Sequence, residues 1–228
     1  MSSFRAPRLP RPSTPPLEPP PNQPLPSKRS FGVVCSSNIN RSMEAHVVLG
    51  NAGLKTESYG TGTNVRLPGR TAMEPRIFKF GTPYADMYHQ MSLTQDDYAF
   101  FQRTGILSLC QRGAAVKRAP QRWQDTPTED IVLHDVVICF EERIYDAVVQ
   151  DVQMREPTND LNPILILCLD TKDNPREAER QGRVALQLCW QLEHCADIET
   201  DGPEILEAFS KERESETSVK VLYQICYL

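Results

Sequence analysis

The stretch FGVVCSSNINRSMEAHVV, residues 31–48, runs from an apolar segment through a small polar turn ending in Arg-Ser to an amphipathic segment. Residues 31–35 read as a short buried strand. From Ser42 to about Ala52 the chain reads as a helix, with Met43, Val47 and Val48 on one face and Gly50 to Gly53 closing it. Between them lies a cysteine followed, after five residues, by Arg41-Ser42. A turn of that length can curl so that successive backbone N–H groups, from Ser36 and Ser37 through Asn38, Ile39 and Asn40 to Arg41 and Ser42, converge on one anion. The following helix aims its free N–H groups and positive end at the same point. Arg41 adds a planar two-pronged donor suited to phosphate oxygens. The same concavity makes Cys35 a stronger nucleophile than an ordinary cysteine, and Ser42 is placed to hydrogen-bond its sulfur.

Outward from this stretch, apolar strands alternate with amphipathic helices. Strand-like runs occur at 54–59, 135–140 (DVVICF) and 164–169 (ILILCL), and VKVLYQICYL (219–228) reads as a last strand. Residues 84–103 read as one or two helices stopped at Gly105. A helix from Glu141 carries Ile144, Val148 and Val152 on one face. A long helix over about 177–197 carries Val184, Leu188 and Leu192, and Pro203 is placed to open another. The expected fold is α/β, a three-layer sandwich with a mainly parallel sheet between helices. In such sheets ligands sit beyond the carboxyl ends of the strands. Cys35 falls there, as do Asp170 and Asp173 after ILILCL. Phosphate-ester cleavage needs a proton for the leaving oxygen, and an Asp on such a loop suits the task. Spacing favours neither Asp170 nor Asp173, and either one is equally placed to cap the next helix. The segment 61–83 reads as irregular, part of a substrate wall.

Ten of the 19 prolines fall in residues 1–30, which therefore cannot form a helix or a paired strand. We expect a disordered or polyproline-II-like arm over 1–30 and a catalytic domain over 31–228. The arm holds five Lys/Arg against one Glu; removing that +4 from the formal −5 leaves about −9 on the domain. An acidic domain argues against direct nucleic-acid binding, which needs a basic face. No run approaches the 18 or more apolar residues of a membrane span, and the arm has no apolar core of a secretory signal. Seven cysteines without paired zinc-knuckle spacing point to a reducing compartment, and no pair among His46, His89, His134 and His194 has metal-ligand spacing.

VCSSNINRSMEAH (34–46) with SYGTGTNVRLPG (58–69) resembles the RNA polymerase II carboxy-terminal-domain phosphatase family, as do FEERIYDAVVQD (140–151), DTKDN (170–174) and the aromatic last strand. The resemblance spans about 31–228. It implies the low-molecular-weight tyrosine phosphatase fold with added elements, and cleavage of phosphoserine before a cis-proline without metal or other cofactor. It implies Cys35 as nucleophile, Arg41 as phosphate clamp, Asp173 as general acid and Asp170 in support. Arg66, Leu67 and Pro68 match the loop flanking the peptide's proline. Arg66 stands where Lys is more familiar, and Leu109, a further substrate contact, where Met is. Implied partners are the phosphorylated carboxy-terminal-domain peptide and a symplekin-type 3′-end processing scaffold, in the nucleus.

Three rival readings stand beside it. A tyrosine phosphatase of the same fold would follow its acid with ring-sandwiching aromatics, but none occurs after Asp173 until Trp190. An arsenate reductase would need a cysteine relay, for which Cys189 and Cys195, taken on one helix, point apart. A non-catalytic phosphopeptide-binding subunit would have no need of Cys35, Arg41 and a nearby acid together.

Overall fold

The computed structural model describes residues 27–71, 73–214 and 221–228. Strand β1 (Ser30–Cys35) passes through the polar turn into α1 (Arg41–Asn51) and then β2 (Lys55–Gly60). A hairpin of β3 (Val65–Leu67) and β4 (Arg76–Phe78) follows, then helices α2 (Tyr84–Gln90), α3 (Gln95–Arg103) and α4 (Ile106–Val116). After the short α5 (Thr128–Ile131) come β5 (Val136–Cys139), α6 (Glu142–Met154) and β6 (Pro163–Cys168). Helices α7 (Pro175–His194) and α8 (Asp201–Glu214) lead to β7 (Leu222–Tyr227).

The central sheet has the order β2-β1-β5-β6-β7. Its first four strands run parallel, and β7 pairs antiparallel with β6. Parallel strands covered on both faces must be apolar at every position, because neighbouring side chains point to opposite faces. Val136, Ile138, Leu165 and Leu167 accordingly join Ala45, Leu49, Leu188 and Phe209 in one core, beneath α1, α7 and α8. Their neighbours Val137, Cys139, Ile164 and Ile166 join Ile144, Val148 and Val152 of α6 in a second core on the other face. The result is the expected three-layer sandwich. A third apolar cluster lies off the sheet, where Tyr84, Met87, Phe101 and Leu107 of α2–α4 close over Ile39, Met43, Val65 and Leu67.

Three expectations need correction. The segment 61–83 is not wholly irregular: β3 and β4 pair antiparallel, with Arg66 opposite Ile77. Gly105, read as a stop, has φ of +78° and turns the chain from α3 directly into α4. Cys195 lies just past the end of α7 rather than on one helix with Cys189. Ahead of the boundary expected at 31, β1 starts at Ser30 and the residues before it are tied down. The buried carboxylate of Glu193 accepts hydrogen bonds from the Lys28 and Arg29 amides and from Ser27 Oγ. Arg29 Nε donates to Leu192 O at 2.8 Å. The rest of the arm expected over 1–30 lies outside the described residues, as do 219 and 220 of the expected last strand.

Candidate active site

In-register parallel pairing brings the carboxyl ends of β1, β5 and β6 level, with Val34 opposite Cys139 and Cys139 opposite Cys168. The loops leaving those ends build one site.

Cys35, the last residue of β1, is 3% exposed. Its Sγ lies 3.1 Å from Ser42 Oγ, and Asn38 Nδ2 donates to that same Oγ at 3.0 Å. Asn38 thereby occupies an acceptor position of the hydroxyl and leaves its proton free to point at sulfur. Asn38 itself sits at φ +53°, a conformation that Asn tolerates better than most residues. It is pinned there from outside the loop: Oδ1 accepts from the Gln121 amide at 3.0 Å, and its carbonyl accepts from Tyr84 Oη at 2.7 Å. Burial pushes the Tyr84 hydroxyl pKa far upward, keeping it a neutral donor.

The GTGT turn after β2 closes the other flank. Thr61 N donates to Cys35 O and Gly62 N to Ser36 O. A Cβ on Gly60 would come within 2.7 Å of Ser36 O and 2.9 Å of Asn38 N, so only glycine allows this approach. Among the described residues, the backbone amides of Ser37, Asn38, Ile39 and Asn40 make no hydrogen bond to protein. Four adjacent free donors on a turn ahead of a helix suit a tetrahedral oxyanion.

Arg41 opens α1 and is buried. Its Nη1 donates to Phe140 O at 3.0 Å and to Thr171 O at 2.9 Å, and it pairs with Glu141 Oε2 at 3.0 Å. These contacts tie the guanidinium to the ends of β5 and β6 by one nitrogen. Nε has no hydrogen-bond partner and lies 3.5 Å from Asp173 Oδ1. Asp173 also accepts from Asn40 Nδ2 at 3.0 Å, and its side chain is 57% exposed. Capping of α7 falls to Asn174, whose side chain accepts from the Glu177 amide, with Pro175 at the first helical position. Asp173 is thus free of the cap and sits at the loop. Asp170 is exposed and lines a different cavity, with Lys172, Arg180 and Phe209.

Beyond Asp173 runs an open groove whose wall includes Arg66, Leu67, Pro68, Arg70 and Pro75. Ser37 Oγ joins it to the loop, accepting from the Arg66 amide at 3.1 Å. Leu67 turns its side chain into the third core, while Leu109 packs half-buried against that core from α4. Tyr84 and Gln121 carry no site role in the sequence reading, and Glu141 enters it only as the start of a helix. Only Glu141 had a local signal, as part of the FEER run. Among the described residues no group of three His, Cys, Asp or Glu is arranged to hold a metal.

A family model described as Ssu72-like protein matches residues 29–228. The Schizosaccharomyces pombe protein ssu72, named as an RNA polymerase II C-terminal domain phosphatase, is 40% identical over 197 residues, covering 86% of this chain and 94% of that one. The Homo sapiens protein of corresponding name is 35% identical over 195 residues, covering 86% and 95%. A crystal structure of Drosophila melanogaster Ssu72 with symplekin, bound to a cis peptidomimetic phosphoserine peptide of the C-terminal domain, superposes with a TM-score of 0.81. It is 32% identical and covers 89% of this chain and 100% of that one.

Proposed function

As this chain belongs to the Ssu72-like family, we propose that it removes phosphate from serine before proline in the carboxy-terminal domain of RNA polymerase II, with Cys35 as nucleophile. The observation that carries this reading is one loop holding Cys35, the free amides of residues 37–40 and Arg41, whose Nε has no hydrogen-bond partner and lies 3.5 Å from Asp173 Oδ1.

The reaction runs in two displacements. Cys35 thiolate attacks phosphorus in line with the serine oxygen. As the P–O bond breaks, that oxygen takes the proton from the Asp173 carboxyl. The loop amides and Arg41 Nε hold the three equatorial oxygens, where negative charge is spread in the transition state. A water then gives a proton to the Asp173 carboxylate and attacks phosphorus. The P–S bond breaks, and sulfur leaves as a thiolate stabilised by the Ser42 hydroxyl. No step needs a metal. Glu141 acts on Arg41, fixing Nη1 so that Nε faces the phosphate.

The groove along Arg66, Leu67 and Pro68 takes the peptide on the proline side, with Leu109 on α4 behind it and Asp170 outside the reaction. The cis peptidomimetic in the fly complex supports a cis-proline substrate, and its symplekin supports a scaffold partner of the same kind. A polymerase II substrate makes the nucleus the place of action. The catalytic domain comprises residues 27–228, with the proline-rich arm outside it.

The test is phosphate release from a serine-phosphorylated carboxy-terminal-domain peptide beside a phosphotyrosine peptide, with wild type and Cys35→Ser. The expected result is preferential phosphoserine-proline turnover that vanishes in Cys35→Ser. Turnover persisting in that variant would remove Cys35 as nucleophile, and a preference for phosphotyrosine would overturn the substrate.

A further inference from the structure

A loop that turns its amides toward an anion must turn its carbonyls the other way, because the peptide unit is planar and trans. Fixing one carbonyl outward therefore fixes the next residue's N–H inward. Carbonyls turned into packed protein need donors of their own.

The helices α2 and α4 supply donors for three successive carbonyls. Tyr84 Oη donates to Asn38 O at 2.7 Å. Arg112 Nη2 donates to both Ile39 O, at 2.7 Å, and Asn40 O, at 2.9 Å. By the planarity of the peptide unit these bonds set the N–H groups of Ile39, Asn40 and Arg41. Arg112 is itself held, since its Nη1 pairs with Glu44 in the first turn of α1. Its guanidinium thus bridges the loop and the helix the loop feeds. Burial lowers the pKa of Arg112, and the Glu44 carboxylate opposes this in part. The guanidinium, which proteins do not deprotonate, thus stands behind the loop on the carbonyl side of its peptide planes.

Resting on the phosphatase reading, we infer that Arg112, assisted by Tyr84, is a positioning residue for phosphoryl transfer. It touches neither substrate nor Cys35. It holds the Ile39 and Asn40 carbonyls outward so that the amides facing the phosphate are aligned before substrate arrives. Preorganised donors of this kind act mainly on the transition state. Losing Arg112 therefore lowers kcat more than it raises KM, and it weakens binding of a tetrahedral oxyanion even when no ester is cleaved.

The experiment measures tungstate affinity by calorimetry, and kcat and KM for p-nitrophenyl phosphate, in wild type, Arg112→Ala, Arg112→Lys and Tyr84→Phe. All are assayed well below their melting temperatures. In Arg112→Ala, tungstate binding is expected to weaken about tenfold and kcat to fall by about ten- to a hundredfold, since one lost oxyanion donor costs about a hundredfold or more. Added methylguanidine should restore part of that activity, which a purely structural defect would not permit. Should Arg112→Ala fail to fold, Arg112→Lys and Tyr84→Phe decide. Lys has no second nitrogen to hold Glu44 while the first binds both carbonyls, so about a threefold to tenfold loss of tungstate affinity is expected. Wild-type tungstate affinity and kcat in the folded variants, with only the melting temperature lowered, would overturn the proposal and leave Arg112 a structural tie. Failure of wild type itself to bind tungstate and cleave the ester would instead remove the phosphate-loop reading, and the brace with it.

Discussion

Asp173 and Asp170 are equivalent by sequence spacing, three residues apart on one loop after an apolar strand. The fold separates them. Asp173 accepts from Asn40 and faces Arg41 Nε, while Asp170 turns to solvent beside Lys172. What decides the matter locally is Asn174, which takes the helix cap and leaves its neighbour at the loop. Asp173→Asn is expected to slow cleavage of a phosphoserine peptide about a hundredfold or more, but an aryl phosphate with a good leaving group much less. Rates on the two substrates check this, and equal slowing would count against Asp173 as the proton donor. At this scale the loop from Cys35 to Ser42 was legible because its residues are contiguous, so its geometry follows from one strand, one turn and one helix. Tyr84, Arg112 and Gln121 were not. Each reaches the loop from 46 or more residues away through tertiary packing, and nothing in its own neighbourhood marks it.

The continuous apolar runs of β5 and β6 made the buried parallel sheet readable, as did the Ile144, Val148 and Val152 stripe of α6. The hairpin β3–β4 was missed because its strands are three residues long, too short for alternation to register. Helix α4 was hidden by Gly105, whose left-handed turn ends one helix and begins another. Between elements, His134 ties the sheet together: Nδ1 meets Ser30 Oγ at 3.1 Å on β1 and Nε2 meets Tyr59 Oη at 3.0 Å on β2. Burial lowers its pKa to about 4, against the opposing pull of Asp135 and Asp130. The ordinary value is about 6.5. Between those limits the unfolded chain binds the proton and the native chain does not, so stability is full above about pH 6.5 and falls as pH drops toward 4. The loss for one such histidine is at most about 3 kcal/mol. Urea midpoints measured from pH 7 to 4.5 should fall, and fall less steeply in His134→Gln. An identical slope in the variant would show that His134 does not drive the loss.

At the scale of the whole molecule, composition alone set the expected domain edge at residue 31. Proline density ends at Pro26, and the polar residues after it give no sign that Glu193, at the far end of the chain, holds them. Deleting residues 1–26 should leave the melting temperature within about 2 °C of the full chain. Deleting residues 1–30 strands a buried carboxylate, at a cost of about 3 kcal/mol. For a domain of this size that lowers the melting temperature by roughly 10 °C. Calorimetry of the two truncations checks the boundary, and equal melting temperatures would return it to 31. The loop around Cys35 is built from neighbours in sequence, yet it is held by Tyr84, Gln121, Phe140 and Thr171, spread across the chain. During refolding those anchors meet late, because contacts of high sequence separation are slow to form. The parallel pairing of β1 with β5 spans a longer stretch of chain than the Tyr84 and Gln121 contacts do. On refolding the phosphate loop is therefore complete only when sheet and helices α2–α4 are both in place, and activity returns with the slowest of these contacts.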